Sequence, residues 1–242
     1  LLKDTALKKT DYKFIHYEGR DRRGIDVAIL YRSSLMRPVS HTRKVPVLES
    51  EDPAREDADT LDTRDILHVR MELKNGLMGH SDVDFIVNHH PSKYGGARQS
   101  DRRREAAMTC LRQLCDSLVS DSSARSLIAM GDFNDTPHSP ALRALTERTH
   151  MACITEDLSG SYRYKGKWEQ IDHIYLSPTL LHSDTTAPHL APQGAWNFAP
   201  DFLTEPEPLY GGRRPLRTYN GMRYQGGTSD HLPVCFDLLF RW

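Results

Sequence analysis

The feature that most constrains this 242-residue chain is a set of apolar runs that stop abruptly at acid, amide or imidazole. The clearest is SLIAMGDFNDTP, residues 126–137, where small and apolar residues give way to Asp132, Asn134 and Asp135. Asn88-His89-His90, Asp172-His173 and Asp230-His231 stand at the ends of other apolar runs. Burying such groups singly costs several kcal/mol apiece unless they are paired. Gathering them at one edge, around a cation and an anionic substrate, removes that cost, and strand ends with their loops are where function concentrates.

Residues 12–18, 25–32, 65–73, 83–90, 125–133, 169–177 and 231–240 are rich in Ile, Val, Phe and Tyr and read as strands. Ala107, Leu111, Leu114, Leu118 and Val119 recur at helical spacing and predict a long helix over 100–121. Ser139 as cap and Pro140 in the first turn predict a second helix over 138–148. Hairpin-like strands mixed with few helices point to an α+β fold of two packed sheets flanked by helices, not a regular βαβ succession. Polar residues 38–63 and the Pro-, Gly- and aromatic-rich stretch 187–229 read as loop insertions in a single domain spanning 1–242.

Composition narrows the class without naming a substrate. The net charge of -1 gives no global basic field for nucleic acid, and does not forbid a local one. No stretch approaches the ~20 apolar residues of a membrane helix. Cys110, Cys115, Cys153 and Cys235 form no C-x-x-C pair and read as buried or idle thiols, with a disulfide as the minor alternative. The compartment stays open.

Taken singly, the polar strand ends are weak signals. Gly131-Asp132-Phe133-Asn134 also fits a plain loop with a capping Asp, and Ser229-Asp230-His231 a surface turn. His89 and His90 are neighbours in a strand, point to opposite faces and suit one zinc ion poorly. Asp172 lies in an apolar strand, where a carboxylate needs a partner. The strand phase that turns Asp172 to a cleft turns His173 away from it.

The ordered set VNHHPSK, GDFND, QIDHIYLSP and SDHLPV, preceded by RGIDVAILYR and TRDILHV, closely resembles the endonuclease/exonuclease/phosphatase superfamily. The likeness runs from about residue 12 to the last residue. It implies the DNase I-like fold, a four-layer α/β/β/α sandwich of two mixed sheets. It also implies Mg²⁺- or Mn²⁺-dependent cleavage of phosphate esters. By position, the resemblance implies that Asp132 orients or deprotonates the attacking water and that Asn134 binds that water and the phosphate. It makes Asp230 a metal ligand, His231 a contact to the scissile phosphate, Asp172 the partner of His231, and His89 a phosphate contact or proton donor. The chemistry is coherent: a hard cation held by oxygens neutralises phosphate and leaving oxygen, and a carboxylate-paired imidazole stays cationic near neutrality.

Asn88, Lys93 and Arg98 are the candidate substrate-binding residues; for Lys93, Arg98, Arg102 and Arg103 the alternative is a solvated helix start. Arg22, Arg23, Arg213, Arg214 and Arg217 are weaker candidates, with an ordinary ordered loop as the alternative for the last three. The first function expected is a nuclease-like phosphodiesterase on a phosphate-ester substrate, nucleic acid included. The alternatives are a phosphomonoesterase on an inositol polyphosphate or lipid headgroup, and a non-catalytic module of the same fold.

The superfamily carries two further motifs ahead of the region matched here: a strand ending in Asn and a strand ending in a metal-binding Glu. LLKDTALKK resembles the helix after the Glu strand, which places both residues upstream of Leu1. The expectation is a sheet lacking strands, with an edge prone to self-association, and weak Mg²⁺ binding and slow turnover for these residues alone.

Overall fold

The structure, a computed structural model, describes residues 5–48, 59–74, 80–93, 97–120, 126–181 and 189–241. Strands β1 (Tyr12–His16) and β2 (Ala28–Arg32) form an antiparallel pair. They are followed by β3 (Met36–Lys44), β4 (Ile66–Lys74), β5 (His80–His89), β6 (Ser126–Asp132), β7 (Ala152–Cys153) and β8 (Asp172–Leu176). These six build one mixed sheet in the order β3-β4-β5-β6-β8-β7. Its parallel contact, β5 with β6, needs a crossover, which helix α1 (Ala97–Val119) supplies. Helix α2 (Pro140–Thr149) follows β6, capped by the Ser139 hydroxyl, which accepts from the Leu142 N–H. Strands β9 (His189–Asn197) and β10 (Val234–Arg241) form a second antiparallel pair.

Alternation along the strands gives the central sheet two apolar faces. Ile66, Ile86, Leu127, Ala129 and Tyr175 bury Leu111, Leu114 and Leu118 of α1 and Leu142 and Leu145 of α2. On the other face, Leu67, Val69 and Met71 receive Ile15, Ile29 and Tyr31 from the β1–β2 pair. Val83, Ile128, Ile174 and Leu176 receive Leu190 of β9 and Val234 and Phe236 of β10. The architecture is therefore the α+β sandwich expected, with helices on one side of a mixed sheet and further strands on the other. A cavity of about 670 Å³ is lined by β2, the inner sheet face and the residues leading into β10, and it reaches Asp172 and His231.

Two stretches expected as loops carry strands. The 38–63 segment opens inside β3, an edge strand exposed along most of its length, so it has no apolar alternation to read. Pro38 sits there at a register shift, as an edge tolerates. Residues 49–58 of that segment lie outside the described residues. The 187–229 stretch holds all of β9 and two short hairpins, Thr204–Pro206 with Arg213–Pro215 and Tyr219–Asn220 with Arg223–Tyr224. Its arginines brace it: Arg213 donates to Thr204, Arg214 to Glu205 and Arg217 to the Arg163 carbonyl. Ala6–Lys9 forms a short 3-10 turn capped by Thr5, and all four cysteines are free thiols.

His90 belongs to this core. It is 2% exposed, its ring meets the Phe133 ring edge-on at 5.4 Å, and its Nε2 has no hydrogen-bond partner among the described residues. Burial pushes its pKa down to about 3, from an ordinary 6.5. The unfolded chain thus binds a proton that the folded chain refuses. Stability from neutral His90 is complete above its unfolded pKa and is lost as pH falls toward the folded one. His90→Phe is expected to flatten the acid limb of the stability profile by ~1.4 kcal/mol per pH unit, one proton's worth. Urea unfolding at stepped pH reads this directly, and an unchanged limb contradicts it. Emptying the helix face with Leu111→Ala is expected to cost ~2–5 kcal/mol in the same assay.

Candidate active site

The site grows from the end of β6. Gly131 has φ +136°, and a Cβ there would lie 1.9 Å from the Asn88 carbonyl oxygen, so only glycine lets β5 and β6 close at this point. Phe133 is 1% exposed and sits among the rings of His90, His173 and Tyr175, at 5.4, 5.5 and 5.4 Å. This apolar anchor fixes the polar residues on either side of it. Asn134 takes the left-handed conformation, φ 50°, which asparagine tolerates. Its backbone N–H donates to Asp132 Oδ1 at 2.7 Å, and its Nδ2 donates to Asp132 Oδ2 at 2.9 Å and to the His90 carbonyl at 3.0 Å.

Because β8 runs antiparallel beside β6, Asp172 stands directly opposite Asp132. Asp172 Oδ2 receives His231 Nδ1 at 2.7 Å and the Ser161 hydroxyl at 2.5 Å. His89 Nε2 lies 3.3 Å from Asp132 Oδ2. The Tyr162 ring packs on His231 with centroids 4.9 Å apart. His173 faces the helix layer, with Nε2 2.9 Å from the Asp135 carbonyl and Nδ1 3.2 Å from Thr155 Oγ1. The strand phase read from the sequence therefore holds.

Charge is crowded here. Burial, and then the Asp172 charge, push Asp132 up to about 7. Burial pulls His231 down, but the Asp172 hydrogen bond and the charges of Asp172, Asp132 and Asp230 outweigh it and raise His231 to about 9. His89 moves the other way, to about 3, through burial and the positive charges of Arg64 and His231. The site thus holds one cationic and one neutral imidazole beside two carboxylates.

Asp132, Asn134, His89, Asp172 and His231 are brought together. Other expected site residues stand apart. Asn88 was expected to touch substrate, but it is 1% exposed, and its Nδ2 lies 3.4 Å from the Asp132 carbonyl. Strand alternation turns it away from His89, so it braces the β6 backbone instead. Lys93 stays at the rim, with Nζ 3.2 Å from Asp135 Oδ1. Arg98 lies in the first turn of α1, and its side chain is outside the described residues. Asp230 is exposed next to His231 and is absent from the donor clusters found among the described residues.

One of those clusters is Asp132, Asp172 and His231, with ligand atoms within 4.8 Å of one another. Two carboxylates side by side, one already pushed toward neutrality, are a donor set that a hard divalent cation fits. His231, cationic and bonded to Asp172, is not a ligand in that state. A second cluster, His16, Glu18 and Asp26, has His16 Nε2 3.2 Å from Asp26 Oδ2.

The sequence reading missed Ser161, Tyr162 and Arg64. Ser161 is fully buried and fixes Asp172; Tyr162 backs His231. Arg64, 4% exposed, donates to the His90 carbonyl at 2.6 Å. Its only sequence signal was a charge at the mouth of an apolar run, in TRDILHV.

Several solved structures share this fold. The Bacteroides thetaiotaomicron mannosyl-6-phosphatase Bt3783 superposes with a TM-score of 0.59 at 17% identity, over 99% of this chain and 81% of that one. The human Nocturnin catalytic domain with bound sulfate gives 0.59 at 13% identity, over 97% and 74%. D. rerio TDP2 complexed with a single-strand DNA product gives 0.55 at 14% identity, over 100% and 80%. No curated protein matches in sequence. The family model for the Endonuclease/Exonuclease/phosphatase family matches residues 1–239, and with the strand-end site and the shared fold this establishes that the chain belongs to that family.

Proposed function

We propose that this protein is a metal-dependent phosphoesterase that hydrolyses a phosphodiester in the manner of a nuclease, by in-line attack of water. The observation that carries the reading is the Asp132–Asp172 carboxylate pair with His231 bonded to Asp172 at 2.7 Å. A phosphodiester is anionic and needs both a base for water and fixed positive charge for the transition state.

Asp132 takes the proton of the attacking water, and Asn134, bonded to both Asp132 oxygens, fixes the direction in which that carboxylate faces. Its raised pKa suits a base working near neutrality. His231, held cationic by Asp172, donates to a phosphate oxygen and stabilises the charge that develops there. His89, neutral beside Asp132, offers a second imidazole contact. Lys93 and Arg98 remain proposed contacts for a neighbouring phosphate. Asp230 and Asp172 are the carboxylates that would hold Mg²⁺ or Mn²⁺, which would neutralise the phosphate and the leaving oxygen when bound, with Asp132 kept for the proton of the water.

The test is hydrolysis of bis-p-nitrophenyl phosphate, plasmid DNA, inositol polyphosphates and sphingomyelin, each with Mg²⁺ and with EDTA. A diester is expected to turn over with Mg²⁺ and to stop with EDTA. Asp132→Asn and His231→Asn are each expected to lower kcat by ~10²–10⁴ with little change in KM. Cleavage of monoesters alone transfers the site to phosphatase chemistry. Wild-type rates in both variants remove these residues from the reaction.

A further inference from the structure

We propose that Arg64 is a positioning residue that aims Asn134 by holding the His90 carbonyl between two donors. The inference rests on the reading that Asn134 fixes the direction of Asp132, the base for the attacking water.

The Arg64 side chain is 3% exposed, so it cannot reach a substrate. It enters just before β4 and spans two acceptors: Asp21 Oδ2 at 3.2 Å, in the β1–β2 connection, and the His90 carbonyl at 2.6 Å. That same carbonyl accepts Asn134 Nδ2 at 3.0 Å. The His90 N–H, in turn, donates to the Asp132 carbonyl at 2.8 Å. The peptide after β5 is thus the junction between Arg64 and the Asp132–Asn134 turn. A carbonyl oxygen has two lone pairs, and here the guanidinium and the amide take one each. Without the guanidinium, the carbonyl keeps only the Asn134 amide as a partner, and that amide keeps its bond to Asp132 but loses the fixed second acceptor that sets its direction.

Energetics favour this reading over a role in stability. A buried cation is costly even when paired, and Arg64 Nε has no partner among the described residues. An apolar side chain of similar volume fills such a place at lower cost, and it cannot supply directed donors. Asp21 is held well below the usual carboxylate range: burial opposes this, but Arg23 and Arg64 outweigh it. Asp21 Oδ2 accepts from Arg23 Nη2 at 3.0 Å and from Arg64 Nη1 at 3.2 Å, so it tethers one terminal nitrogen of Arg64 while the other, Nη2, serves His90.

The variants are Asp21→Asn/Arg64→Met, which removes both buried charges and keeps volume, and Arg64→Lys, which keeps the charge but reaches one acceptor at a time. The readouts are kcat and KM on bis-p-nitrophenyl phosphate, thermal stability, and hydrogen exchange of the Asn134 side-chain amide by NMR. The double variant is expected to lose about tenfold or more in kcat with KM within about threefold, and to exchange the Asn134 amide about tenfold faster. Arg64→Lys is expected to show the same changes at smaller size, about threefold to tenfold, with thermal stability retained. Wild-type kcat with wild-type amide exchange in Arg64→Lys overturns the inference even if the double variant does not fold. If the wild-type chain cleaves no diester, the phosphodiesterase reading falls, and the amide exchange alone still decides whether Arg64 positions Asn134.

Discussion

Two carboxylates face each other across neighbouring antiparallel strands, Asp132 on β6 and Asp172 on β8, and much of the site's construction answers that repulsion. Like charges directly opposite in a sheet destabilise it. Here the pair is also largely buried, so the penalty is larger than at a surface. The chain offsets it with a cationic imidazole on Asp172, a serine hydroxyl on the same oxygen, and two donors from Asn134 on Asp132. Burial first, and then the Asp172 charge, still raise Asp132 to about 7, the condition in which a carboxylate accepts a proton near neutrality.

The architecture serves this arrangement from both faces of the sheet. On the helix side, Phe133, His90, His173 and Tyr175 pack as one aromatic group and anchor the turn that carries Asp132 and Asn134. On the other side, Tyr162 and the approach to β10 place His231 over Asp172, with the Tyr162 and His231 backbones bridged as antiparallel neighbours. The motif residues thus divide by parity. Asp132, Asp172 and His89 point to the cleft; Asn88, Phe133, His90 and His173 point into the helix layer and hold the frame. Rigid strand ends hold such groups more precisely than loops do.

Most of this was legible because it is local. Strand periodicity, the Ser139 cap and the direction of Asp172 against His173 follow from residues within one element. β3 was not legible: an exposed edge strand has no buried face to print on its sequence. Asn88 was misplaced although its parity with buried Ile86 was visible, because the adjacent histidine drew attention to the wrong face. Ser161, Tyr162 and Arg64 touch the site through partners 11, 69 and 26 residues away in sequence, reckoned to Asp172, His231 and the His90 carbonyl. No periodicity or spacing rule carries contacts of that kind. Asp230 is the converse case, a motif carboxylate that the fold leaves exposed at the rim.

The central claim is that Asp172 keeps His231 cationic beside Asp132. Heteronuclear NMR titration of the His231 ring in the metal-free chain tests it most directly, with Asp172→Asn as the comparison. The account requires His231 to hold its proton until about pH 9 in the wild-type chain. It also requires a marked fall in that value in the variant, where burial acts on the imidazole without its partner. A wild-type His231 that titrates at or below the ordinary histidine value of 6.5, unchanged by Asp172→Asn, would contradict it.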